Sequence, residues 1–127
     1  MEPGCPDLPR PEQAGQSGWI HIARLANSAQ LSTWRSQYSL GAGELSTILL
    51  AKEIQADVAL IDERGARLLA QSEGVPVLGT VGLIELGYRR GEVADLRLTY
   101  QTMLAQGAYI NKQILNQSLA GFNLPPV

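Results

Sequence analysis

Two acidic residues, Glu44 and Asp62, have the chemistry to bind a divalent metal ion. Glu44 opens an amphipathic stretch, and Asp62 follows a short apolar run. Carboxylate oxygens are ligands that Mg²⁺ prefers, and the ion is often held by only one or two protein carboxylates, with water completing its shell. The pair therefore predicts a small acidic site if the fold brings both side chains to one place.

The elements around these acids are predicted to bring them to one edge of a sheet. Apolar residues follow Glu44 at the i, i+3, i+4 spacing of one helical face: Leu45, Ile48, Leu49, Ala51 and Ile54. The run Val58 to Ile61 predicts a strand buried on both faces of a parallel sheet. A helix of about 12 residues advances roughly 18 Å and a returning strand of about five residues covers roughly 17 Å, so both acids reach one level. Open α/β folds keep their sites at the carboxyl edge of the sheet.

A purely structural role explains the same two acids. Glutamate in the first turn of a helix is favoured by the helix dipole. Aspartate directly after a strand is a frequent N-cap of the next helix. The spacing of Glu44 and Asp62 therefore leaves metal binding and helix capping both open.

Two arginines near Asp62 are candidates for contacts to phosphate. The segment 63–73 is predicted to be helical, and Arg64 and Arg67 lie three residues apart on it, so they can face one patch beside Asp62. A guanidinium group forks onto phosphate oxygens. Ion pairs with Glu63 or Asp62 on a solvated face explain both arginines equally well.

The turn 79–82, of sequence GTVG, is predicted to follow the next strand at the same sheet edge as Asp62. Thr80 could cap the helix that begins there, and the first N–H groups of such a helix can accept an anion such as phosphate. The turn lacks the lysine of a P-loop, which argues against nucleotide hydrolysis. Glu85 follows about a turn and a half later and is expected to lie too deep to reach the site.

A series of short motifs between residues 40 and 82 resembles one protein family. They are LGAGE at 40–44, Ala51, Ala56-Asp57, LIDE at 60–63, Ala66-Arg67 and VLGTVG at 77–82. These motifs resemble the C-terminal two thirds of PIN domains, in particular an uncharacterised branch predicted to bind nucleic acid and related to VapC-type toxins. The resemblance extends over residues 18–121.

This resemblance implies an α/β fold with three layers, Rossmann-like, in which helices flank a short parallel sheet. It also implies an acidic pocket that binds Mg²⁺ or Mn²⁺ and cleaves single-stranded RNA. Glu44 matches the third of the family's four acids and Asp62 the fourth, and Glu63 is an auxiliary metal ligand. The family's first strand and first two acids have no counterpart before Gly18, so an N-terminally truncated domain is expected.

Composition and charge restrict the class of protein. The chain has 127 residues and a formal net charge of −2, which argues against binding nucleic acid by bulk charge. A bound cation would itself supply positive charge at a site. The single cysteine, Cys5, cannot form an internal disulfide, and no apolar run has the length of a signal peptide or membrane span. A cytoplasmic protein without a membrane segment is therefore expected.

One domain is expected between two unpacked ends. Residues 1–17 contain four of the seven prolines and predict a flexible arm. Residues 18–121 would form the domain, with an edge strand near 19–25, and residues 122–127 would form a frayed tail. Without the family's first strand the sheet would keep an open edge, and a homo-oligomer would compensate.

Three further helices are predicted from apolar spacing. One follows Asn27 or Ser28, either of which could cap it, and runs to about residue 38. The others lie at 96–106 and 111–119. Leu98 and Ile114 are expected to contribute to the apolar faces of these two amphipathic helices.

Three functions fit these residues. The first is a toxin-like, metal-dependent ribonuclease with Glu44 and Asp62 as catalytic acids, impaired if the upstream acids are lost; an antitoxin protein would be its natural partner. The second is a catalytically inactive PIN-like module that binds RNA or a protein. The third is an oligomeric scaffold whose acids only cap helices.

Overall fold

A computed structural model of this chain contains two compact units. The described part of the first unit contains a pair of helices, and the second unit opens with a parallel β–α–β unit. The structure describes residues 18–127, and the chain divides into Met1–Ile54 and Gln55–Val127. The expected arm of residues 1–17, with Cys5, lies outside the described residues.

The helices described in the first unit are α1, Ser28–Gln37, and α2, Ala42–Ile54. Asn27 is the N-cap of α1, and its side chain accepts a backbone N–H from the first turn. The carboxylate of Glu53 accepts hydrogen bonds from the N–H groups of Ala26 at 2.9 Å and Asn27 at 3.1 Å. The last turn of α2 therefore holds the chain that enters α1.

The buried face of α2 confirms most of the predicted helical pattern. Its buried residues are Leu45, Ile48, Leu49 and Ala51. Trp34 of α1 is also buried, with its ring 5.7 Å from that of Tyr38 and 5.8 Å from the ammonium group of Lys52. Ile54 was expected on the buried face, but it is 60% exposed because it is the last residue of the helix.

The edge strand expected near residues 19–25 does not form. Trp19 and Ile22 are 69% and 72% exposed. Alternating apolar residues form a strand only where a neighbouring strand pairs with them. Within residues 18–127, strands occur only in the second unit, so the segment has no such partner among the described residues of its own unit.

A parallel β–α–β unit opens the second unit. Strand β1, Ala59–Leu60, pairs in parallel with β2, Val77–Leu78, and α3, Arg64–Ser72, crosses between them. Hydrogen bonds from the N–H groups of Ala59 and Ile61 extend the ladder on both sides. Gly74, with φ +75°, reverses the chain after α3. Parallel pairing brings the residues after β1 and β2 to one edge.

Strand β1 is shorter than the predicted run of residues 58–61 and is covered on one face only. Ala59 and Ile61 are buried, whereas Val58 and Leu60 are 41% and 58% exposed. The expectation that this strand is buried on both faces is therefore wrong. An apolar run does not reveal whether the fold supplies a cover for each face. Helix α3 buries the predicted residues, Ala66, Leu69 and Ala70.

Three helices form the core of the second unit: α4, Thr80–Arg89, α5, Leu96–Ala105, and α6, Lys112–Gly121. The fully buried residues of this core are Leu96, Tyr100, Leu115 and Leu119. The Tyr100 hydroxyl lies 2.7 Å from the Ser118 hydroxyl, which satisfies both groups. Leu98 and Ile114, expected on the apolar surface, are 56% and 49% exposed.

Residues 122–127 have defined contacts, in contrast to the frayed tail expected from the sequence. Apolar residues of this segment pack against the core of the second unit. The N–H of Val127 donates to the side-chain oxygen of Asn116 at 2.9 Å, and Nε of Arg97 donates to the carbonyl of Pro126 at 2.8 Å. The tail thereby joins α5 to α6.

Two leucines of α5 allow a matched test of this core. Leu96→Ala removes a fully buried side chain and should lower the free energy of unfolding by about 2–5 kcal/mol. Leu98→Ala removes a side chain that is 56% exposed and should cost less than about 1 kcal/mol. Urea denaturation followed by circular dichroism measures both changes. Equal losses would contradict the described packing of α5.

Candidate functional site

A carboxylate and a hydroxyl meet at the carboxyl edge of the parallel sheet. Asp62 follows β1, and Thr80 begins α4 after β2. Asp62 Oδ1 accepts the backbone N–H of Thr80 at 2.7 Å, and Oδ2 accepts the Thr80 hydroxyl at 2.5 Å. The residues are 18 positions apart in sequence, so the strand pairing is what brings them together.

Hydrogen bonds from Thr80 lower the pKa of the Asp62 carboxylate. The Thr80 hydroxyl has the largest effect and lowers the pKa of Asp62 below its ordinary value of 3.8. The Thr80 N–H lowers this pKa further, slight burial raises it, and the positive charge of Arg67 lowers it. The Asp62 carboxylate is therefore harder to protonate than an ordinary aspartate, and it is ionised at neutral pH.

Gly79 leaves room for this arrangement. A Cβ atom at position 79 would lie 3.1 Å from Asp62 Oδ1 and 3.5 Å from Arg67 Nη1, so a side chain there would crowd the carboxylate. Gly79 is the N-cap of α4 but provides no side-chain cap. Asp62 supplies the missing acceptor from the end of β1. Thr80, expected as the cap, is instead the first residue of the helix and donates to Asp62.

A cavity of about 690 Å³ lies beside Asp62 within the second unit. Its size falls in the range of ligand pockets in proteins. Apolar side chains of β2, α4, α5 and α6 form part of its wall. The polar and charged lining side chains are Asp62, Arg67, Thr80, Glu85, Tyr109 and Asn111. The carboxylate–hydroxyl pair is therefore part of a larger concave surface.

The two candidate arginines occupy different surroundings. Arg67 lines the cavity and approaches both Gly79 and Asp62. Arg64, the first residue of α3, is exposed and is not part of the cavity wall. The three-residue spacing put both arginines on one side of the helix but did not reveal that only the second borders the cavity. Arg67 is thus the better placed of the two predicted phosphate contacts.

Glu63, the predicted auxiliary metal ligand, caps α3. Its two carboxylate oxygens accept the N–H groups of Gly65 at 3.0 Å and Ala66 at 2.6 Å. These bonds, the one from Gly65 first, lower the pKa of Glu63. Glu63 does not line the cavity. The capping role that the sequence suggested for Asp62 at this helix is therefore filled by its neighbour.

Glu44 lies in the first turn of α2, in the first unit. Its carboxylate folds back toward the backbone before the helix, where a Cβ atom at Gly41 would meet Oε2. The helix dipole favours a negative charge at this end. Since Glu44 and Asp62 belong to different units, their joint binding of one metal ion stays a prediction.

Three lining residues were missed or misplaced by sequence reasoning. Glu85 borders the cavity, although it was expected to lie too deep. It lies one helical turn beyond Val81, another lining residue, so i+4 spacing from the start of α4 could have found it. Tyr109 and Asn111 come from the connection between α5 and α6. No local pattern links that connection to Asp62.

Asp62 is better placed than Glu63 to be a cation ligand, because Asp62 lines the cavity and Glu63 does not. Each carboxylate oxygen can accept more than one bond, so both oxygens bound to Thr80 keep capacity for another partner. Hydrogen bonds of this kind also orient ligating carboxylates in metal sites. In residues 18–127, no three His, Cys, Asp or Glu side chains lie close enough together to hold a metal. A cation at Asp62 would therefore depend largely on water and substrate oxygens, which suits Mg²⁺.

The parallel β–α–β unit with an acid at its carboxyl edge defines an α/β protein with a candidate acidic site. A family model described as DUF3368, a PIN domain, matches residues 2–123. The chain therefore belongs to the PIN domain family, and its fold is α/β and PIN-like. The chain matches no curated protein and no solved structure. Across residues 18–127, no helix combines the length and apolar character that membrane crossing requires.

Thr80→Val tests the bond that fixes Asp62. Valine keeps the shape and the backbone N–H but removes the hydroxyl that lowers the Asp62 pKa most, so this pKa should rise toward 3.8. Thr80→Ser retains a hydroxyl and is the control, with a pKa close to that of the parent. Titration of the Asp62 carboxyl carbon by NMR measures the change. An unchanged pKa in Thr80→Val would show that the hydroxyl does not act on Asp62.

The same bond makes part of the stability depend on pH. Because the pKa of Asp62 is lowered in the folded chain, its stabilising contribution is complete above the ordinary pKa of 3.8 that the unfolded chain has. That contribution is lost as pH falls through the lower, folded pKa. As pH falls from above the ordinary pKa of Asp62 to below its folded pKa, the free energy of unfolding of Thr80→Val should therefore decrease less than that of the parent.

Proposed function

We propose that this protein is a Mg²⁺- or Mn²⁺-dependent ribonuclease of PIN type that acts on single-stranded RNA. The observation that carries the proposal is an ionised Asp62, fixed by two bonds from Thr80, beside a guanidinium group on a cavity at the carboxyl edge of a parallel sheet. Membership of the PIN domain family supports a nuclease-like function in general.

In this proposal three residues that line the cavity have distinct roles. Asp62 holds the cation, and the two hydrogen bonds from Thr80 orient the carboxylate. Arg67 contacts a phosphate oxygen of the RNA, because a guanidinium group presents several donors in one plane. The cation, when bound, neutralises phosphate charge and lowers the pKa of bound water. Glu44 remains the proposed second carboxylate.

The proposal extends to the biological setting suggested by the resemblance. A toxin-like ribonuclease would be inhibited by an antitoxin protein, and a homo-oligomer would cover apolar surface such as the exposed face of β1. Leu60 and Val58 on that face are 58% and 41% exposed. Both partners belong to the proposal and would be found by purification from the source cells.

A second candidate function is a PIN-like module that binds RNA or protein without catalysis. The side-chain roles in the second unit favour it, because Asp62 and Glu63 both cap helices. Within residues 18–127 there is also no cluster of three potential metal ligands. Asp62 would then be a structural acceptor, and Arg67 would contribute to binding.

Asp62→Asn separates these candidates, with Asp57→Asn as the matched control. Asp57 is an exposed aspartate five positions earlier that does not line the cavity. For a nuclease, Asp62→Asn should weaken Mn²⁺ binding and RNA cleavage by about 100-fold or more, since even indirect partners of a metal cost 10–100-fold. Glu44→Gln should also weaken both, and Asp57→Asn neither. Calorimetry with Mn²⁺ and gel analysis of labelled single-stranded RNA provide the two measurements.

The outcomes point to different conclusions. Mn²⁺ binding and cleavage that depend on Asp62 support the nuclease. RNA binding without cleavage in either Mg²⁺ or Mn²⁺, and unchanged in Asp62→Asn, supports the non-catalytic module. Cleavage that is equal in the parent and in Asp62→Asn would identify a contaminating ribonuclease and leave the proposed enzyme without support.

A further inference from the structure

Tyr109 belongs to the residues that border the cavity, and its aromatic ring is fully exposed to solvent. Its relative exposure is 106%, the highest among the large hydrophobic residues of the described chain. The same residue lines the cavity that contains Asp62 and Arg67. A tyrosine ring usually buries a large apolar area, so one that buries almost none leaves both ring faces available to a ligand.

The backbone that carries Tyr109 is anchored on both sides. Gly107, with φ +87°, reverses the chain after α5, and the N–H of Ala108 donates to the carbonyl of Met103 at 2.9 Å. Ile110 packs against the core, and Asn111 caps α6. The neighbours of Tyr109 therefore fix the position of its Cα, and the ring projects from a held segment.

The charges on the cavity wall provide little attraction for phosphate, so binding of a single strand there would depend on contacts to its bases. Of the lining residues, Asp62 and Glu85 are acidic and Arg67 is basic. This surface has no excess of positive charge to attract a polyphosphate backbone, and the whole chain carries a net charge of −2. An aromatic ring can stack on any nucleobase, because every base has a π-face. Single-stranded RNA exposes such unstacked bases.

We propose that Tyr109 forms a base-stacking subsite for single-stranded RNA, next to the acidic site at Asp62. The stacked base would lie against the ring, and a phosphate near that base would contact Arg67 in the same cavity. The inference rests on the proposed function for its class of ligand, but it does not require that the RNA is cleaved.

Direct binding tests the ring. Fluorescence anisotropy with a labelled single-stranded RNA, in buffer with a chelator and no divalent ion, is measured for the parent and three variants. Tyr109→Ala should weaken binding by between about 5- and 150-fold, the loss of one stacked base. Tyr109→Phe keeps the ring and should keep the affinity. Trp19→Ala removes another exposed aromatic, 69% exposed and outside the cavity, and should have no effect.

Two further arms identify the interaction as stacking. An RNA of the same length with abasic sites should bind the parent weakly, and Tyr109→Ala should lower that binding no further. With Arg67 as the single phosphate contact, the slope of log K against log salt should be about −0.7. A steep slope, or an equal effect of Tyr109→Ala on the abasic strand, would overturn the subsite.

The failure of this subsite and the failure of the nuclease are distinguishable. If the parent cleaves RNA and Tyr109→Ala binds RNA as the parent does, the subsite is wrong and the nuclease stands. If Tyr109→Ala weakens binding and no divalent ion supports cleavage, the subsite stands and the nuclease is wrong. If the parent binds no RNA, the subsite is overturned. If Tyr109→Ala changes only the sedimentation of the protein, the ring belongs to a protein interface and the subsite is overturned as well.

Discussion

The pair of hydrogen bonds between Asp62 and Thr80 is the contact on which the second unit and its site depend. It satisfies the start of α4, where Gly79 has no side chain to act as a cap. It also fixes the orientation of a carboxylate at the carboxyl edge of the sheet and lowers its pKa. One contact thus links the end of β1 to the helix after β2 and leaves a charged group on the cavity wall.

Helices were predictable from this sequence to a greater extent than strands. The buried residues of α2 and α3 follow the 3.6-residue period closely, because a helix satisfies its own backbone and needs only one buried face. The segment 19–25 had apolar alternation but formed no strand, and β1 has one open face. Both outcomes depend on which neighbours pair with or cover a segment, and a local pattern does not contain that information.

One part of the candidate site was predictable from the sequence, because it depends only on the pairing of two parallel strands. Asp62 and Thr80 follow neighbouring parallel strands, so their shared edge could be anticipated. The sequence could not reveal that Arg67 borders the cavity while Arg64 does not, or that Tyr109 lies beside it. Both facts depend on how α3 and the α5–α6 connection pack around the cavity. Glu63 illustrates a further difficulty, because the sequence does not reveal which of two consecutive acids caps α3. Glu63 caps α3, whereas Asp62 binds Thr80 at the edge of the sheet.

Each unit also contains a helix start that is held by a carboxylate from a distant part of that unit. Glu53 reaches Ala26 and Asn27 across 27 and 26 positions, and Asp62 reaches Thr80 across 18. A cap within its own helix forms as the helix forms, but a distant cap must wait until the intervening chain has closed, at an entropic cost. We therefore expect the start of α4, which has no side-chain cap of its own, and the segment that leads into α1 to become ordered late in folding. Each unit should open as a cooperative block, since a helix start cannot be released without the element that carries its acid.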